Sequence, residues 1–381
     1  MIGSILAGIA TFVLLAAVSH LRPTAYNNYV LLADAFLHHR VWIDWPGEYI
    51  DALWFQGQRY IIEAPLPAIL LLPFVAIWGT SANQTLLAVL LASVAVGTAW
   101  EIARRLRVPL LARTWLCAFL LLGTDLFWCA MLGDVWFIAH VSAVAFTLLA
   151  LVELLGKRRA WLVAIYAVCA LESRFPLILA VPMYALLLGT DPAVDRRARK
   201  LVVFVTTLLP FAALWVLYNE LRWHVPYDLG YTAWYHQDSA GEPTGSPFRL
   251  SYFPYQLQSF FVQYPQFMRG FPYAVPGYGG QALTWTSPAL VLAFFAWRPK
   301  RWVFVLWLAT LAVAAPSFVY YVNGYAQFGM RHALDFEPFL FVLMALGMRR
   351  GMPWFGQALC AYSVLVGAWG VWFWLTFYRP L

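Results

Sequence analysis

The chain has 381 residues, 62% of them hydrophobic and only 11% charged, where a soluble domain carries roughly a quarter charged. That excludes an ordinary soluble domain, and the long apolar runs exclude a membrane β-barrel, whose signal is weak alternation in segments of about ten residues. The formal net charge of +7 does not point to nucleic acid, because cytoplasmic loops of membrane proteins are basic and no Lys/Arg run is interleaved with aromatics.

The residues predict an all-α polytopic membrane protein in one transmembrane domain spanning 1–381. Met1–Leu21 is an apolar run with no basic residue at its start, so it is expected to be a retained helix rather than a cleaved signal peptide. Residues 22–81 form a first outer loop. Within it Tyr26–His39 has helical spacing but is too short and polar to span, and is expected to lie in the interface. Trp45-Pro46-Gly47 marks a turn. Pro65–Gly79 is apolar, short and Pro-rich, and is expected to be juxtamembrane or re-entrant.

Spans are expected over Ala82–Ala103, Pro109–Leu122, Val135–Leu155, Leu201–Leu217, Thr284–Trp297, Trp302–Tyr320, Pro338–Met348 and Trp354–Phe377. Ala160–Leu188 is broken by Glu172-Ser173-Arg174 and reads as a hairpin of two half-helices. A second outer loop covers 218–283. With the hairpin counted as two, this makes about eleven crossings. The topology gathers most basic residues on one side, including Lys157, Lys200 and Lys300, which the positive-inside rule makes cytoplasmic. The N-terminus is then cytoplasmic, and the acid-rich loops face the other side.

Nucleotide, HExxH, GxSxG and calcium-loop motifs are absent. The four cysteines are scattered, which suggests neither a disulfide framework nor a zinc site. No cofactor is indicated, although a divalent metal is compatible with the acids present. What remains is charge near the bilayer, where it is costly and carries a functional prior. The first loop holds Asp34, Asp44, Glu48, Asp51 and Glu63, five of the chain's 18 acidic residues. Arg174 sits at the hairpin break, two residues from Glu172, with which it could form a structural pair. Arg331, His332 and Asp335 come from Gly324–Glu337.

A first outer loop with an interfacial helix, acids and the segment Ala64-Pro65-Leu66-Pro67-Ala68 resembles the GT-C superfamily of membrane glycosyltransferases. The branches it is similar to are the protein mannosyltransferase and aminoarabinose transferase-like ones. Gln327–Pro338 also looks like a segment of uncharacterised bacterial members. The resemblance implies a bacterial inner-membrane enzyme whose partners are a polyprenyl-phosphate-linked sugar and membrane lipids, acting on the non-cytoplasmic side. Arg174, Arg331 and Arg59 would bind the phosphate, and Tyr60, Glu63, His332 and Asp335 would line the substrate. The family's catalytic Asp position is occupied here by Asn27 and Asn28, and an amide cannot act as a base. The base role therefore passes to Asp51 first, which precedes an aromatic stretch expected to face lipid, then to Asp44, then to Asp34. Two other readings stay open: a transporter or flippase of a lipid-linked sugar, and a non-catalytic scaffold with this fold. The first should show paired broken helices in two halves, and only one broken hairpin is visible.

Overall fold

The computed structural model describes residues 2–44 and 52–378. Helix α1, Ile2–Ser19, lies along α4, Gln84–Arg105. Small residues set this approach, as a Cβ on Gly97 would stand 2.9 Å from the Ser4 carbonyl oxygen. The other side of α1, with Ile2, Ile5, Leu6, Ile9 and Val13, is exposed, as expected of a lipid-facing surface.

The first loop is more deeply packed than its polarity suggested. Helix α2, Asn28–Leu37, buries Asn28, Tyr29, Val30, Leu32, Ala33 and Ala35 and packs on α3, Leu66–Trp78. It is part of the protein interior as well as an amphipathic segment. Between these helices, β1 (Leu53–Phe55) and β2 (Gln58–Tyr60) form an antiparallel hairpin. Gln56 and Gly57 both have positive φ, as a tight two-residue hairpin turn requires. The stretch 52–55, expected to face lipid, is folded onto protein in part, with Trp54 left half exposed. Ala52 and Leu53 are buried, and Leu53, Tyr60 and Ile62 form a small core with Trp223.

Helices α5 (Leu110–Leu122) and α6 (Leu126–Leu132) are bent by 52° at their junction. Helix α7, Val135–Leu154, is the central mast, buried along nearly its whole length and packed on α4 and α8. Helix α8, Ala160–Leu171, ends at Glu172. The chain turns through an extended Arg174 into the 3₁₀ segment Phe175–Ala180 and then α9, Val181–Thr190. Pro176 and Pro182 begin these pieces, where a missing N–H is tolerated.

Helix α10, Arg197–Trp223, runs six residues past its expected end, because Asn219, Arg222 and Trp223 are buried beneath the loops. The second loop holds α11 (Gly230–Gln237), α12 (Phe253–Phe261) and the hairpin β3–β4 (Gln266–Phe267, Ala274–Val275). The stretch expected as a span over 284–297 is an irregular piece. A four-residue helix α13, Leu283–Thr286, precedes a 3₁₀ segment Pro288–Phe295 that packs on α15 (Glu337–Gly347) and α16 (Trp354–Phe373). Between them lies α14, Lys300–Phe318.

Among the described residues six helices are long and apolar enough to cross a membrane, or seven with the bent α5–α6 pair taken as one. The remaining expected crossings fall on shorter apolar segments, namely α8, the 3₁₀–α9 arm, the 3₁₀ segment after α13, and α15. The protein is an integral membrane protein of helices with almost no sheet.

Candidate active site at the broken hairpin

The hairpin break does not pair Glu172 with Arg174. Arg174 is extended at φ −144°, ψ 109°, whereas Glu172 still has near-helical backbone at φ −76°, ψ 0°. Their side chains therefore leave in different directions. The Arg174 guanidinium reaches Asp335, donating from Nε to Oδ1 at 3.2 Å and from Nη2 to Oδ2 at 3.1 Å. Nη2 also donates to His332 Nδ1 at 3.2 Å. His140, in the second turn of α7, donates from Nδ1 to Oδ1 of the same carboxylate at 2.9 Å. A guanidinium cannot accept and a carboxylate cannot donate, so these bonds place the proton on Nδ1 of His140 and on Nε2 of His332.

Asp335 is 1% exposed. Burial alone would raise its carboxyl, but Arg174 and His140 overcome that and hold it well below the usual carboxylate range. Burial pushes His332 well below its ordinary value, reinforced by Arg331, Arg174 and His140, so it is neutral. Asp335 is thus a fixed anion committed to orienting Arg174.

Arg331 lies next to this cluster, within electrostatic range of Arg174. Its Nη1 donates to Gln327 Oε1 at 2.6 Å, and its head lies 5.6 Å from the Phe137 ring centre. Gln327 is in turn held by the second loop, donating to the carbonyl oxygens of Gly279 and Asn323, both at 3.0 Å. Gly324 makes this fold possible. Its φ of 124° suits glycine, and a Cβ there would collide with the Gln327 amide. Nη1 of Arg174 makes no hydrogen bond among the described residues.

The other expected site residues are dispersed. Glu63 is 8% exposed and shares its electrostatic surroundings, through Tyr29 and Tyr231, with Arg174. Asp44 is exposed and receives both 2.9 Å bonds from Arg40. Asp34 lies 3.5 Å from His38. Arg59 lies over the Trp54 ring and bonds the Ala52 carbonyl, and Tyr60 is in the small core with Trp223. Asp51, and with it Glu48 and the turn at 45–47, lies outside the described residues. Among the described residues, no group of three or more His, Cys, Asp or Glu side chains is placed to hold a metal ion.

One participant, His140, was not foreseen. His140 carried a readable signal, being a lone ionisable residue inside an apolar span.

No family model matches the sequence, and no curated protein matches it. Among solved structures, the crystal structure of ArnT from Cupriavidus metallidurans bound to undecaprenyl phosphate is similar, with a TM-score of 0.53 at 15% identity over 91% of this chain. The chain shares the fold of ArnT. The match spans 60% of ArnT's own length.

Proposed function

We propose that this protein is a glycosyltransferase that passes a sugar from a polyprenyl-phosphate donor to an acceptor hydroxyl on the non-cytoplasmic side of the membrane. One observation carries the reading. Two neighbouring guanidinium groups, Arg174 at the break of a membrane hairpin and Arg331 from the segment before α15, have N–H groups left over. Like charges held together in a partly dry site repel unless an anion joins them. A lipid phosphate meets that need, and Arg matches it bidentately. ArnT, which shares the fold, was crystallised with such a lipid.

In this reading the acceptor oxygen attacks the anomeric carbon. The bond from that carbon to the phosphate oxygen breaks, and its electron pair leaves on the phosphate. Arg174 and Arg331 stabilise the charge as it develops there. A carboxylate takes the hydroxyl proton. Asp335 is too strongly held by Arg174 and His140 to serve. Among the described loop acids, Glu63 is the one beside the cluster, and we place it ahead of Asp44 and Asp34. Asp51 is tested beside it.

The test uses purified protein in lipid vesicles, with undecaprenyl phosphate carrying a radiolabelled sugar and a panel of envelope glycolipids. Label should move to an acceptor with the wild type. It should stay on the donor with Glu63→Gln or with Asp51→Asn, whichever removes the base, while donor binding survives. Label that never leaves any donor, together with donor binding indifferent to Arg174→Lys, would overturn the reading.

A further inference from the structure

The end of the bundle away from Arg174 carries a second charged feature. Helix α8 starts just after α7 and runs 12 residues, about 18 Å, before the chain reaches Arg174. At its starting end, α4 closes with Arg104 and Arg105, and Arg107 follows. The turn after α7 adds Lys157, Arg158 and Arg159. Two acids bond to this basic crown. Glu101 accepts from Nε and Nη2 of Arg104 and from Nε of Arg105, each at 2.7 Å. Glu153 takes Arg159, at 3.0 and 2.8 Å. Arg107, Lys157 and Arg158 have no acidic partner among the described residues. The crown therefore keeps a surplus of positive charge.

A groove of about 600 Å³ runs from this crown along the outer side of the α1–α4 pair. Gly8 and Gly97 lie on its floor, where the two helices come together. Ile5 and Ile9 of α1 and Val94 of α4 are exposed along it. The Ser93 hydroxyl, also in the groove, is used within its own helix, donating to the Val89 carbonyl at 2.7 Å. The lining is thus apolar to a guest, except at the charged end. There Arg105 reaches across to α7, and its Nη1 donates to the Val152 carbonyl at 2.6 Å. The guanidinium lies against Gly156, where a Cβ would collide with it. Its Nη2 makes no hydrogen bond among the described residues.

Length and charge decide the occupant. Phe12 and Leu90 mark the far end of the groove. From Leu90 to Glu101 it follows α4 for about 16 Å, half of the hydrocarbon thickness of about 30 Å. It covers one leaflet and stops. A partner helix crosses both leaflets and would need a groove twice as long, whereas one hydrocarbon chain of a lipid needs no more than this. Surplus Lys and Arg at the headgroup level select an anionic head. Arg105 stands at the mouth, and Lys157 directly follows Gly156.

We propose that this groove binds one anionic phospholipid of the leaflet at the basic end, with an acyl chain laid along α1 and α4 and the phosphate at Arg105 and Lys157. The site lies at the opposite end of the bundle from the Arg174 cluster and does not rest on the function proposed above.

The experiment titrates the purified full chain in detergent with phosphatidylglycerol and with phosphatidylcholine of the same acyl chains, and reads bound lipid by native mass spectrometry. The wild type should hold phosphatidylglycerol about fivefold more tightly, the effect of one basic residue near the headgroup. Arg105→Gln should abolish that preference, and Lys157→Gln should lower it about twofold. Lys300→Gln, at the start of α14, should leave it unchanged. Ser93→Leu fills the groove and should weaken both lipids about tenfold. The Lys157 side chain makes no hydrogen bond or ion pair among the described residues, so Lys157→Gln keeps the test decisive if Arg105→Gln, which loses the tie to α7, fails to fold. Equal retention of the two lipids by the wild type would overturn the proposal. So would the same loss in Lys300→Gln as in Lys157→Gln, which would make the preference a property of the whole basic surface. Unchanged lipid binding in Ser93→Leu, or a dimer that this variant dissolves, would also overturn it, the latter by giving the groove to a second copy of the chain.

Discussion

Arg174 and Arg222 are both nearly buried arginines on opposite sides of the first loop, yet they are held in opposite ways. Arg174 is gripped by an anion, Asp335, which His140 also bonds, while His332 accepts from the guanidinium itself. Arg222 is propped by a carbonyl and an amide, reaches Asp228 only at 3.4 Å, and lies 3.9 Å from the Tyr218 ring centre and 4.7 Å from that of Trp223. The first arrangement fixes a charge and leaves one edge of it free for another anion. The second spreads the charge over aromatic faces and neutral dipoles, with the nearby Asp228 held mainly by Trp223 and Gly230. The partner, rather than the arginine, sets the sign of each site.

The contrast can be broken most directly at the anion. Asp335→Ala leaves a buried guanidinium unpaired and should cost about 3–5 kcal/mol. Arg222→Gln should cost less, about 1–3 kcal/mol, because Asp228 keeps its bonds from Trp223 Nε1 and Gly230 N. Thermal unfolding in one detergent compares them, and equal losses would erase the distinction.

The next largest effect is on binding. Arg174→Lys removes the planar fork and should weaken undecaprenyl phosphate about tenfold or more with the fold retained. The matching Arg222→Lys should leave that ligand unaffected. Calorimetric titration of both variants would show whether phosphate discriminates between the two sites.

Acid should act on the Arg174 side. The His332 value is depressed in the folded protein, by burial first and then by Arg331, Arg174 and His140, with Asp335 opposing. A depressed folded value means that the unfolded chain binds the extra proton. The stabilisation is therefore full above the unfolded value, about 6.5, and is lost as pH falls below it. Asp335, also depressed, adds a further loss only near and below the ordinary carboxylate value, about 3.9. Melting temperature should fall between pH 7 and pH 5, and His332→Gln should flatten that fall. A slope unchanged in the variant would assign the acid sensitivity elsewhere.

The smallest effect is expected at Tyr29, whose hydroxyl is buried with no hydrogen-bond partner. Tyr29→Phe should leave stability unchanged or raise it by no more than about 1 kcal/mol. A clear loss in the melt would reveal a bond that the hydroxyl makes in solution.

The sequence was most informative where polarity interrupts an apolar run. Such a break exposed the hairpin at Arg174, and the polar island before α15 exposed Arg331, His332 and Asp335. Their meeting across the fold could not be read, because it depends on how α7 and α8 pack. The structural pair of Arg174 with Glu172, left open as an alternative, is not formed, for a local reason. Spacing of two residues means proximity only if the backbone keeps one conformation, and here it changes between them. The aromatic stretch 52–55 misled in part, since a strand half packed on Trp223 and a lipid-facing segment have the same composition.

One bond between distant parts of the chain bears on how the protein is made. The amide of Leu66, at the start of α3, donates to the carbonyl oxygen of Glu172, at the end of α8, at 2.9 Å. Each group would otherwise be an unpaired helix terminus in a low-dielectric setting. During synthesis Leu66 emerges more than a hundred residues before its acceptor exists. The first loop must therefore stay unsealed on the membrane surface until the hairpin arrives. A ribosome-stalled chain ending before residue 172 should expose the loop to added protease, and one extended past α9 should protect it.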